Sequence, residues 1–235
     1  PTVTIDIGGG TCDVLVFHEQ EIKLISSFKF AGNDIFGDGF KVAMQKNGFV
    51  KRYKNKYSDK VKDATEVRDE LNAIGTSTAL INYLFSLKNN KELKEKNIDN
   101  IDFFEDLKKD DDFKIVFLLY YGAIIYHVAE LLKNKNISVP RNVVFSGTSS
   151  KALNIIEMDG QYKVLKTFFQ SIFNDIHNID NSNIEIEASE NPKEITSKGA
   201  FYPVNQKILD LLNNPQKSIK LAEVNIGSKT NPLVQ

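Results

Sequence analysis

Cysteine is almost missing: Cys12 is the one thiol in 235 residues. No disulfide framework can form, which suits a reducing compartment or indifference to one, and the expected location is cytoplasmic. Set among apolar strand residues, that thiol reads as a small buried side chain rather than a nucleophile. Histidine is scarce too. His18, His127 and His177 have no metal-ligand or triad spacing, and no zinc, haem or nicotinamide signature accompanies them. Net charge is also low, with 30 basic against 31 acidic side chains and a balance of −1. That removes the electrostatic case for nucleic acid or an anionic membrane as partner. No signal-peptide pattern is visible. One long apolar run, IVFLLYYGAIIYHVAELL at 115–132, has the length of a membrane span. His127 and Glu130 in its second half, the Glu above all, are costly in lipid, so the run is expected to be a buried core helix.

The remaining composition, 41% hydrophobic and 26% charged, is that of a soluble globular protein long enough for one sizeable core and a small accessory unit. Its most informative stretch is TIDIGGGTCDVLVF, beginning at Thr4. It reads as strand, glycine hairpin, strand, with Asp6 and Asp13 on the two sides of the turn. Gly8, Gly9 and Gly10 leave backbone N–H groups uncovered, so a phosphate can approach closely. Asp6 and Asp13 stand where a hydrated magnesium ion needs oxygen ligands.

Along the chain, strands are expected at 2–7, 13–17 and 21–30, forming an antiparallel meander. The Gly/Asn/Asp-rich loop 31–40 leads into a helix at 40–46. Segment 47–112 changes character, being rich in Lys, Asn and Asp. Helices are expected at 61–74 and at 78–87, the latter continuing toward 96, with a solvated turn at 108–112. This segment is expected to be an inserted, mainly helical subdomain, because its amphipathic pieces do not fit a disordered connection. Then follow a core helix at 113–133, a strand at 143–145, a helix at 162–176, a strand at 184–188, and a helix within 191–213 opened by Pro192. Three antiparallel strands followed by alternating helices and strands point to an α/β fold, a mixed sheet with helices on both faces.

Two further motifs stand downstream. NVVFSGTSSK, from Asn142, is a strand end turning through Gly147 into Thr148, Ser149 and Ser150, which offers donors at a helix start. ENPKEITSKGA, from Glu190, ends a helix in the small pair Gly199–Ala200 and permits close helix packing.

With these three motifs in order, the chain resembles the actin-like ATPase superfamily of heat-shock chaperones, actin, bacterial filament proteins and sugar kinases. DIGGGTCD is similar to that family's second phosphate motif, which opens the second of two lobes, and the loop reaching Phe40 extends the likeness. FSGTSS is similar to the adenosine motif, and the Gly199–Ala200 helix to the second connecting motif. The resemblance implies a ribonuclease H-like core (β-β-β-α-β-α-β-α) formed by 1–46 and 113–213, an inserted helical subdomain at 47–112, and a tail or linker at 214–235. It implies ATP and Mg2+ as ligands, with hydrolysis only when the first lobe is present. Since the chain begins at Pro1, that lobe is expected to be missing and the fragment alone inactive. The implied roles are Asp6 orienting the attacking water or holding a magnesium-bound water, Asp13 acting on the same ion through water, and Gly8, Gly9, Gly10 and Thr11 donating to the β- and γ-phosphates. Gly147, Thr148 and Ser149 would border the nucleoside. Thr148 departs from the pattern, which has a second glycine there, and its branched side chain narrows the approach. A nucleotide-controlled filament or a scaffold without turnover are therefore alternatives on the same fold. A sugar kinase is a more distant one. The resemblance also implies that adenine-contacting Lys, Arg or Glu side chains come from the inserted subdomain; Lys60, Lys62, Glu66 and Arg68 are helical candidates there, are not assigned, and read better as a solvated face.

Overall fold

A computed structural model describes residues 1–19, 21–36, 48–157 and 161–188. The expected helices at 40–46 and within 191–213, the Gly199–Ala200 pair and the tail at 214–235 lie outside these residues.

β1 (Thr2–Ile7), β2 (Cys12–His18) and β3 (Glu21–Phe28) form the meander. Val3, Ile5 and Ile7 alternate with half-buried Thr2, Thr4 and Asp6, and Cys12, Val14 and Val16 repeat the pattern opposite them. This period of two puts one face of the hairpin in the core. β3 stops at Phe28, and Phe30, expected in the strand, instead places its ring 4.9 Å from that of Tyr120. β4 (Asn142–Ser146) and β5 (Glu185–Ala188) add in parallel to β1, giving a five-stranded mixed sheet in the order β3-β2-β1-β4-β5.

The short α1 (Gly32–Ile35) follows the meander. The next segment folds into α2 (Gly48–Lys60), α3 (Thr65–Ala73), α4 (Ser77–Ser86), a 3-10 turn at Leu87–Asn89, α5 (Lys91–Glu95) and α6 (Phe103–Lys108). The helix expected over 61–74 is split. The Val61 and Ala64 N–H groups bond back to Tyr57 and Val61, and both side chains are buried, so these residues make a corner between α2 and α3. The helix expected from 78 toward 96 likewise breaks after Ser86. Nor is the 108–112 turn solvated throughout. The Asp110 side chain is only 12% exposed, because the Tyr53 hydroxyl donates to it at 2.6 Å and Arg52 pairs with it.

α7 (Asp111–Asn134) is the long core helix, capped where Asp110 accepts the Phe113 N–H. It is long and apolar enough to cross a membrane, but Phe117, Tyr121, Ile124, Ile125 and Val128 on it are buried within the protein. Tyr121 packs edge-on against Phe145 of β4, and α9 (Lys163–His177) lies beside it with Phe169 against the same Phe145. At Gly122 of α7, an added Cβ would come 2.8 Å from the Phe168 ring of α9, so glycine sets how closely the two helices approach. α7 and α9 thus cover the same sheet face. A 3-10 turn (Thr148–Ala152) and α8 (Leu153–Ile156) link β4 to α9. An aromatic seam of Phe36, Phe49, Phe113 and Phe117 ties the insertion to the core, with Phe49 and Phe113 stacked at 3.9 Å.

Candidate functional site

The hairpin turn from Gly8 to Thr11 is closed by the Gly8 N–H donating to the Thr11 carbonyl at 3.0 Å. Two further carbonyls of the turn are already engaged, leaving that of Gly10 without a donor among the described residues. The Gly8 carbonyl takes the Gly32 N–H at 2.9 Å and the Ser149 hydroxyl at 3.0 Å, and the Gly9 carbonyl takes the Asn33 N–H at 2.9 Å. The N–H groups of Gly9, Gly10 and Thr11 have no acceptor among the described residues, and all three residues are exposed. A turn with three of its four carbonyls consumed and three amides free leans to positive partial charge toward solvent, as in an anion nest. Packing does not demand glycine at position 10, where an added Cβ meets nothing within 4 Å.

Asp6 and Asp13 are register partners across the hairpin and share the face away from α7. Directly opposed side chains on one face have Cβ atoms about 5 Å apart, and two like charges so placed repel. A cation at that spot relieves the repulsion. Among the described residues no cluster of three or more His, Cys, Asp or Glu could hold a metal by itself. A carboxylate pair beside free backbone amides is a set that could hold Mg2+, which keeps several waters and takes one or two carboxylates plus the oxygens of an anion. Between the two, Cys12 is buried, and burial, then the charges of Asp13 and Asp6, push its thiol up to about 12. It is held protonated and is no nucleophile.

The second wall comes from the end of β4, where Asp6 and Ser146 are paired in the parallel ladder. Gly147 has φ of +80°, and an added Cβ would lie 2.4 Å from both Asp6 Oδ1 and the Ile7 carbonyl. Glycine is needed there for conformation and for space, and the Asp6 carboxylate occupies the space it leaves. Thr148 starts the 3-10 turn without a positive φ, so its Cβ carries none of the backbone strain a second glycine would have avoided. Its exposed side chain does line the cavity described below. Ser149 is a latch: its hydroxyl holds the Gly8 carbonyl and its own carbonyl accepts from the Tyr121 hydroxyl at 2.9 Å. Gly32 completes the junction, since a Cβ there would fall 1.9 Å from Ser149 Oγ.

A cavity of about 530 Å³ opens beside this junction. Gly9, Gly32, Thr148 and Ser149 line its core side, and Ile81, Asn82, Phe85 and Phe104 of the insertion line the other. The structure therefore brings Gly8, Gly9, Gly10, Thr11, Gly147, Thr148, Ser149, Asp6 and Asp13 to one end of the sheet. The resemblance implied that the insertion would contribute, through Lys, Arg or Glu side chains, but the residues it brings are Thr78, Ile81, Asn82 and Phe85 of α4 and Phe104 of α6. The signal for α4 was the i, i+3, i+4, i+7 row Thr78, Ile81, Asn82, Phe85. The charged residues read as a solvated face stay off the cavity: Lys60 reaches Asp106 and the Asn100 carbonyl, and Arg68 pairs with Asp69.

Fold and site define a mixed α/β domain with a glycine-hairpin anion cradle at the edge of a cavity shared with a helical insertion. No protein-family model matches the sequence, and no curated protein matches it. Among solved structures, the chain is similar to the ethanolamine utilization protein EutJ from Carboxydothermus hydrogenoformans, at 13% identity and TM-score 0.33, over 83% of this chain and 46% of that one. It is also similar to the activator of the 2-hydroxyisocaproyl-CoA dehydratase from Clostridium difficile with bound ADPNP, at 16% identity and TM-score 0.34, over 93% of this chain and 63% of that one. The chain spans less than two thirds of the length of either structure.

Proposed function

We propose that this chain is the second nucleotide-binding lobe of an actin-like ATPase with a ribonuclease H-like core, acting on Mg–ATP in the cytoplasm together with a first lobe. The observation that carries the reading is the polarity of the hairpin: the Gly8 and Gly9 carbonyls are consumed by neighbouring loops while the Gly9, Gly10 and Thr11 amides stay free. Backbone amides so arranged favour phosphate oxygens, and phosphoryl transfer draws mainly on positioning and charge stabilisation. Gly8, Gly9, Gly10 and Thr11 cradle the phosphates, and Asp6 and Asp13 hold the waters of a magnesium ion that neutralises phosphate charge. Asp6 orients the attacking water in this reading, and its seat against Gly147 at the mouth of the β4 turn supports that role.

Calorimetry of Mg–ATP with the chain joined to its first lobe tests this. Asp6→Ala is expected to abolish turnover and weaken magnesium-dependent binding. Equal binding and turnover by both proteins would sink the assignment of Asp6, and absence of any nucleotide binding would sink the reading.

A second reading, a scaffold that keeps the cleft without turnover, is favoured by the Thr148 side chain at the cavity wall. It predicts nucleotide binding with phosphate release at background rate. Nucleotide-dependent self-association into filaments is compatible with either reading and would be seen by light scattering with ATP.

A further inference from the structure

α7 carries more apolar side chain than its buried face uses. The inner face is committed: Tyr121 packs on Phe145 of β4 and donates to the Ser149 carbonyl, and Phe117 lines the cavity. Yet four of the seven large hydrophobic side chains exposed among the described residues, Ile115, Val116, Leu119 and Tyr126, also belong to α7. Leu119 is 67% exposed, Ile115 56% and Tyr126 53%. A helix apolar on its outer side as well as its inner one marks a contact that the described residues do not make. Leu119 follows Phe117 by two residues and so lies on nearly the opposite side of the helix. The outer row therefore points away from the cavity and from a lobe that would close over it.

That row has a seven-residue spacing: Asp112, Leu119, Tyr126 and Lys133. The period keeps the four side chains in one stripe, in the order acid, apolar, apolar, base. Against a second α7 running antiparallel, with a two-fold axis between Gly122 and Ala123, Asp112 meets Lys133 and Leu119 meets Tyr126, and each pair occurs twice. Against a parallel copy, Asp112 would meet Asp112 and Lys133 would meet Lys133. Both end charges are available. The Asp112 side chain is 85% exposed, with Arg52 at 3.5 Å, and Lys133 is exposed and has no ion pair among the described residues. The small residues Gly122 and Ala123 at the centre let two helices approach closely.

We propose that the outer face of α7 is a dimerisation surface whose partner is a second copy of this chain, packed antiparallel, α7 against α7. The proposal does not rest on the nucleotide-binding reading. Each copy gives the same row, so the contact closes on itself and leaves no free end for filament growth. Burial of Leu119 and Tyr126 supplies affinity, and the end charges fix the antiparallel register.

Sedimentation velocity of the full chain without nucleotide, from about 1 to 100 µM, tests the proposal. The expected result is a monomer–dimer equilibrium. Leu119→Lys is expected to weaken the dimer about a hundredfold, the scale of a central interface side chain. Asp112→Lys and Lys133→Asp, each alone, set like charges face to face at both ends and are expected to weaken it about tenfold. An equimolar mixture of these two variants restores association as a heterodimer. A damaged fold would not be rescued by mixing, and all three positions are exposed, so circular dichroism is expected to be unchanged. A wild-type chain that stays monomeric, or that grows into open-ended polymers, overturns the proposal. So does a dimer that Leu119→Lys leaves intact, and so does a mixture of the charge variants that fails to associate.

Discussion

The Ser149 hydroxyl donates to the Gly8 carbonyl at 3.0 Å, joining two turns that lie 141 residues apart in the chain. This bond, with the Gly32 N–H on the same carbonyl, fixes the glycine hairpin against the end of β4. Ser149→Ala is expected to cost about 1 kcal/mol, the usual net worth of one hydrogen bond. Gly32→Ala places a Cβ 1.9 Å from Ser149 Oγ and is expected to cost about 1–3 kcal/mol by overpacking. Urea unfolding of the two single variants and the double variant would show the double as less destabilised than the sum. Strict additivity would mean the two side chains do not share the junction.

Gly147→Ala combines a positive φ with a Cβ 2.4 Å from Asp6 Oδ1. It is expected to destabilise the fold by more than about 2 kcal/mol and to displace the Asp6 carboxylate. Thermal unfolding together with magnesium-dependent nucleotide binding checks both effects. A variant with unchanged melting temperature would contradict the close approach.

The strands were legible because a period of two and a triple glycine leave few alternatives between Thr2 and His18. α7 was legible for the opposite reason: its apolar residues are too many for a strand. α2 was not, because its buried positions Val50, Tyr53 and Tyr57 include two tyrosines, and what makes them internal residues is far away in sequence. Their hydroxyls donate to Asp110 and Asp106, 57 and 49 residues on. The glycine hairpin and the β4 turn could be read as candidate site segments from local residues alone. That Ser149 is a latch depends on long-range packing that no local pattern encodes, and the row Thr78, Ile81, Asn82, Phe85 marks a face of α4 without telling what that face meets.

Those tyrosine contacts make the insertion acid-sensitive. Burial opposes ionisation of Asp110, but the Tyr53 hydroxyl, the Phe113 N–H and Arg52 outweigh it and hold the carboxyl below its usual range. Asp106 behaves alike: burial opposes ionisation, and Tyr57, Lys56 and Lys60 prevail. A carboxyl depressed in the folded state binds protons more readily when unfolded. Its stabilisation is complete above the ordinary carboxylate value near ~4 and is lost as pH falls toward the folded value. The melting temperature is expected to decline gently below about pH 6.5, where burial keeps His127 and His177 from protonating in the fold, and to drop more steeply below about pH 4 as these carboxyls protonate. In Tyr57→Phe the drop is expected to be shallower, from a lower starting stability. An identical acid profile in the variant would remove Tyr57 from the account.

Cys12 offers a chemical readout of the hairpin's closure. With its thiol pushed up to about 12 and its side chain buried, alkylation by iodoacetamide at pH 8 is expected to be about a hundredfold slower in the native chain than in urea. Comparable rates in the two states would mean that the hairpin opens readily.

The order of the sheet also fixes the order in which the site can be assembled. β1, β2 and β3 pair between neighbours in sequence, so the glycine turn can form as soon as its own strands meet. The opposite wall reaches it only when β4 lays Ser146 beside Asp6, after the insertion and α7 have been gathered in between. The cradle is local and early; the cleft is distant and late. Occupancy of this cavity by any ligand would therefore certify that the whole intervening chain had reached its native arrangement.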